Sequence, residues 1–94
     1  METDKLAVGL AALGQPLRMS LFQRLVAAGT LGAKPGELAA KLDLQHNLVS
    51  YHLQPLVAAG LVTSERRGRE VIYRANPIGV NRLAAALLDV SSGH

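Results

Sequence analysis

Gln45, His46, Asn47, Ser50 and Tyr51 gather amide, imidazole, hydroxyl and phenol groups at the start of one amphipathic stretch. Side chains of these types donate and accept hydrogen bonds at base edges in a DNA major groove, and a helix N-terminus adds backbone N–H groups that favour phosphate. Catalysis fits the same residues poorly. Ser50 and His52 project from different faces of a helix, so the imidazole could not take the hydroxyl proton directly. His46 and His52 lie roughly 120° apart around a helix at about 100° per residue, a poor chelating pair, and no metal site is expected. No phosphate-binding glycine loop, His-Glu-His helix motif or nucleophile elbow occurs in the chain. The chain is therefore not read as an enzyme, and no cofactor is expected.

The elements that must position this face follow from periodicity. Leu38 and Leu42 place one apolar face on a short helix beginning near Pro35 and Glu37, with Lys41 turned away. Asp43 to Gln45 interrupts it. From His46 the apolar period resumes through Val49, Leu53, Leu56 and Val57, giving a buried stripe opposite the polar side chains. Pro55 falls inside this second helix and cannot donate to the carbonyl of Tyr51, so a bend or local loosening is expected there. Two helices across such a turn predict a helix-turn-helix.

Gly60 ends the pattern, and Leu61 to Arg66 reads as a strand. Arg67-Gly68-Arg69 is a charged turn, and Glu70 to Ala75 returns as a second strand with Val71, Ile72 and Tyr73. A hairpin in this place is a wing, whose arginines would lie along the duplex backbone or enter the minor groove. Asn76 and Pro77 supply an N-cap and first helical position for a last helix carrying Val80, Leu83, Ala84, Leu87 and Leu88 and ending near Ser91. Upstream, Thr3 to Leu13 predicts a helix with Leu6, Leu10 and Leu13 on one face. A further helix runs from Pro16 to about Ala28 with Leu17, Leu21 and Leu25 in register and Phe22 and Val26 widening the stripe. Thr30 to Pro35 is left as a connector.

The predicted fold is thus mainly α with a small β-hairpin, in the order ααααββα, as one domain over residues 1–94. Ninety-four residues, 49% hydrophobic but only 3% aromatic, must build their core from leucine, valine and alanine. Leucine and alanine cover more than one face of the first and last helices, more than so short a chain can bury alone, so dimerisation through those helices is expected. The net charge of +3 is a mild bias toward polyanions, but its distribution is informative: between Gln45 and Asn76 four arginines face two glutamates. With no cysteine, disulfides and thiolate metal sites are excluded. The acidic start at Glu2 and Asp4 and the lack of a long apolar run predict a soluble, cytoplasmic chain without a membrane partner.

The segment LVSYHLQPLVAAGLV, the wing SERRGREVIYRA and the helices on either side resemble the ArsR/SmtB family of bacterial winged-helix repressors, from about Leu6 to Gly93. The end VNRLAAALLDVSSG looks like the last helix of an arsenic(III)-sensing branch, which carries adjacent cysteines where this chain has Ser91 and Ser92. The resemblance implies a homodimer that sits on double-stranded operator DNA and leaves when an inducer binds. By position it assigns His46, Asn47, Ser50, Tyr51 and His52 to the reading helix, Arg67 and Arg69 to the wing, and Ser91 and Ser92 to the inducer-binding position. Where many relatives have a cysteine metal motif, this chain has Ala33-Lys34-Pro35-Gly36-Glu37. Serine hydroxyls stay protonated and are hard ligands, so the DNA half of the family's function carries over and the sensing half does not. A bridging site from Asp89 and His94 of two subunits is the remaining metal reading. The rival readings are a winged-helix protein-interaction module and an architectural DNA-binding module without an inducer.

Overall fold

The computed structural model describes residues 2–93. Five helices and a hairpin follow in order: α1 (Thr3–Gly14), α2 (Pro16–Ala28), a 3-10 turn (Gly29–Leu31), α3 (Pro35–Leu42), α4 (His46–Ala58), β1 (Val62–Arg67), β2 (Glu70–Ala75) and α5 (Pro77–Ser91). The helix starts are written locally. Proline occupies the first helical position of α2, α3 and α5, where its missing N–H costs nothing. Gln15 Oε1 accepts from the Arg18 N–H at 2.8 Å, and Glu37 Oε1 accepts from the Lys34 N–H at 3.1 Å, so free amides at two helix starts find partners.

The core lies where α2, α4 and β1 meet. Leu21, Leu25, Val49, Leu53, Leu56, Leu61 and Val62 are almost wholly removed from water. Each such side chain stabilises the fold by roughly 1.5–3 kcal/mol relative to exposure. Because Val49, Leu53 and Leu56 recur at four and three residues, α4 is held by one stripe, and its opposite face must point outward. Pro55 does not divide it: the helix is continuous from His46 to Ala58, and Pro55 O still accepts from the Ala59 N–H. The proline leaves the Tyr51 carbonyl without its helical donor.

Other expectations change. On α1 the buried residues are Leu6, Gly9 and Ala12, while Leu10 is exposed. Packing explains this, since Leu83 of α5 lies so close that a Cβ on Gly9 would come within 2.8 Å of it. Gly9, not a leucine, stands at that approach. Val26 is likewise exposed, at the margin of α2. Asn76 stands at the start of α5 but does not cap it; its Nδ2 donates to the Gly60 carbonyl at 2.8 Å. Gly79 packs on that same carbonyl, leaving no room for a side chain. The end of α4 and the start of α5 are thereby fastened together. The first strand begins and ends a residue later than its apolar pattern suggests, at Val62–Arg67.

The connector after α2 has structure that the sequence pattern concealed. Ala33 and Tyr73 exchange backbone hydrogen bonds of 2.9 Å, adding a single antiparallel bridge beside β2. The preceding Gly32 has φ +67°, and a Cβ there would lie 2.6 Å from the Tyr73 carbonyl oxygen. Gly32→Ala is therefore expected to destabilise the fold by roughly 1–3 kcal/mol from backbone strain alone, measurable as a lower denaturation midpoint.

Candidate nucleic-acid interface

Helices α3 and α4 are joined by a turn in which Asp43 adopts φ 53°, with the Leu44 N–H returning to the Ala39 carbonyl at 2.9 Å. This left-handed residue closes α3, and Gln45 then precedes α4 in an extended conformation. The turn sets the angle at which α4 leaves the body.

On the outward face of α4, Gln45, His46, Asn47 and Tyr51 are exposed and Ser50 is half-buried. Tyr51 is 68% accessible, so it does not pack on a neighbouring helix. His52 differs from these. It is half-buried, its ring meets Tyr51 edge-on at 5.2 Å, and its enclosed Nδ1 has no hydrogen-bond partner among the described residues. Its position two residues from Ser50 turns it toward the body of the protein.

The wing stands beside this face. β1 and β2 pair antiparallel from Val62↔Ala75 to Arg67↔Glu70 around the Gly68-Arg69 loop, where Gly68 has φ +61°. Alternation puts Thr63, Glu65, Arg67, Glu70, Ile72 and Arg74 on one side of the ribbon, which explains its ion pairs. Arg74 Nη1 lies 2.7 Å from Glu65 Oε1, and Arg67 Nε lies 3.2 Å from Glu65 Oε2. The hydrogen bonds from Arg74 and Arg67 hold the Glu65 carboxyl below its ordinary range. A depressed carboxylate pKa means that the contribution is present above the unfolded value and is lost as pH falls through the folded one, so acid unties the wing base. Arg66 lies on the opposite side and Arg69 at the tip; among the described residues neither pairs with a carboxylate.

Among the residues expected to touch DNA, His46, Ser50 and Arg69 converge. They line a cleft of about 460 Å³ together with Lys34, Gly36 and Glu70. Arg67 lies outside this cleft, turned toward Glu65. Lys34 was not expected here. It enters because the Ala33 bridge draws the start of α3 against the wing, where Lys34 Nζ meets Glu70 Oε2 at 3.1 Å. Its only trace in the sequence is a cation immediately before the Pro35 helix start.

Ser91 and Ser92 sit at the far end of α5, and both hydroxyls donate to the Leu88 carbonyl, at 2.8 and 2.9 Å. Asp89 is exposed on the same helix, and His94 lies outside the described residues. Among the described residues no three histidine, cysteine or acidic side chains cluster as a metal site. No helix among them is long and apolar enough to cross a membrane.

A helix-turn-helix whose second helix presents a polar face beside a cationic two-stranded ribbon defines the winged helix-turn-helix class. Comparison agrees: a family described as a helix-turn-helix domain matches residues 13–65, more than half of the chain. The HTH-type transcriptional repressor SmtB of Mycobacterium tuberculosis is 40% identical over 80 residues, covering 85% of this chain and 55% of that protein. The chain thus spans about half the length of this curated relative. An ArsR-like transcriptional regulator from Rhodococcus sp. RHA1 superposes with TM-score 0.79 at 32% identity, over 96% of this chain and 82% of the other. A homodimeric winged helix-turn-helix DNA-binding domain from Mycobacterium bovis superposes with TM-score 0.71 at 26% identity, over 97% and 82%. The chain belongs to the ArsR/SmtB family of winged helix-turn-helix transcriptional regulators, which are DNA-binding proteins and not enzymes.

Proposed function

We propose that the chain is a homodimeric, operator-binding transcriptional repressor that reads a major groove with α4 and grips the flanking backbone with the wing. The observation that carries this reading is the outward side of α4, where Gln45, His46, Asn47 and Tyr51 are exposed and where His46 and Ser50 share a cleft with Arg69 and Lys34. Asn47 and Ser50 are assigned to base edges, and Arg69 and Arg67 to phosphates. His52 is assigned chiefly to orienting Tyr51.

Self-association is inferred from surface chemistry. Val8 and Leu10 on α1 and Ile78, Leu87, Leu88 and Val90 on α5 remain exposed in the protomer. Patches of this kind on a small domain mark an interface, and a two-fold axis would set two copies of α4 on successive turns of DNA. The homodimeric relative from Mycobacterium bovis supports that arrangement. Release by an inducer follows the family pattern, but the Ser91 and Ser92 hydroxyls, both bound to one helix carbonyl, offer no soft ligand for arsenic(III).

Titration of a selected operator and its single-base variants tests the residue roles. Asn47→Ala or Ser50→Ala is expected to cost about 1–3 kcal/mol of discrimination at one base position. Arg69→Ala is expected to weaken all sequences alike and to lower the salt slope by about one. Equal affinity of the α4 variants for every sequence would contradict base reading by these residues.

A further inference from the structure

A cleft of about 650 Å³ opens between α2, the base of the wing and the start of α5. Phe22, Leu25, Val26, Ala75, Pro77 and Val80 give it an apolar wall. Thr30, Thr63, Asn76 and Asn81 supply polar groups around that wall, and among the described residues Arg74 is the one ionised side chain lining it. Its volume falls within the range of small-molecule sites, and the mixture of an apolar wall with a few polar groups is their usual composition.

Arg74 makes the cleft more than a gap. Its Nε donates to the Thr30 carbonyl at 2.8 Å and its Nη1 to Glu65 at 2.7 Å, so one guanidinium ties the 3-10 turn after α2, the wing and the cleft wall. Its side chain is 25% exposed, against 60% for Arg67, which shares the same carboxylate. Among the described residues its Nη2 has no hydrogen-bond partner, leaving a donor for a ligand.

We propose that this cleft is an effector site for a small amphiphilic carboxylate, with its apolar body against α2 and α5 and its carboxylate on Arg74. A carboxylate that takes Nη2 and Nη1 together as a bidentate pair displaces Glu65 from Nη1. Glu65 then keeps only Arg67, the tie between β1 and β2 loosens, and the wing takes a different pose. The effect on DNA rests on the repressor reading above; binding in the cleft does not. The site uses no thiol and no metal, which suits a chain without cysteine.

Titration with sodium octanoate, and with 1-octanol as the uncharged control, tests the proposal on isotopically labelled protein. Saturable amide shifts confined to residues around Phe22, Thr30, Thr63 and Val80 are expected, stronger for octanoate than for octanol. Arg74→Gln should remove that preference. Val26→Trp should abolish binding by filling the mouth, and it spares the core because Val26 is 54% exposed. In a binding titration, saturating octanoate should lower operator affinity about tenfold, within the usual range of allosteric coupling. Shifts spread over α1 and the C-terminal half of α5, or an unchanged response in both variants, would overturn the site. Octanoate bound in the cleft with unaltered operator affinity would overturn the coupling, and octanoate bound by a protein that holds no duplex would overturn the repressor reading alone.

Discussion

Leu53→Ala is expected to lower the unfolding free energy by about 2–5 kcal/mol, because Leu53 has no exposed surface and the cavity left behind cannot fully collapse. For a domain whose total stability is of the order of 5–15 kcal/mol, that loss shifts the thermal midpoint by tens of degrees or leaves the chain partly unfolded. Leu53 lies at the middle of the stripe that holds α4 on the body, so loss of folded protein and loss of the reading helix occur together. Tyr51→Ala, on the exposed face of the same helix, should change stability by no more than about 0.5 kcal/mol. Chemical denaturation of both variants checks the contrast; equal losses would mean that α4 is not anchored by this stripe.

The paired change Leu87→Glu with Leu88→Glu is expected to have the largest effect on DNA binding while leaving the protomer folded. Leu87 is 45% and Leu88 67% exposed, so charge at these positions is solvated in a protomer but would be brought together across the proposed two-fold axis. Sedimentation is expected to show a monomer for the variant and a dimer for the parent. Operator affinity should fall by at least about a hundredfold, the usual scale of the gain from linking two half-sites. A variant that stays dimeric at the same concentration would place the interface elsewhere.

Much of the scaffold was written in local sequence. Prolines at positions 16, 35 and 77 mark helix starts, and the 49-53-56 spacing on α4 both buries one side and turns the other outward. The remaining features join residues far apart in the chain, and no periodicity reports them. The Ala33 bridge to Tyr73 is a single residue pair and leaves no strand pattern, yet it brings Lys34 to the cleft beside Arg69. Arg74 looked like one of several wing cations, but Thr30, 44 residues earlier, and Glu65 hold it at the wing base. The buried face of α1 is set by how closely Gly9 must approach Leu83, which a count of leucines cannot reveal. Asn76, a correct marker for the start of α5, spends its amide on Gly60 instead of on its own helix.

Selection of bound duplexes from a random pool, at low and near-physiological salt, tests most directly the claim that α4 reads DNA sequence in a two-fold assembly. The expected outcome is an inverted repeat with half-sites about one helical turn apart, retained at the higher salt. Salt-sensitive recovery of duplexes without any common sequence would contradict base reading and leave an architectural DNA-binding module. Absence of binding at either salt would contradict the DNA reading altogether and turn the same face into a protein-interaction surface.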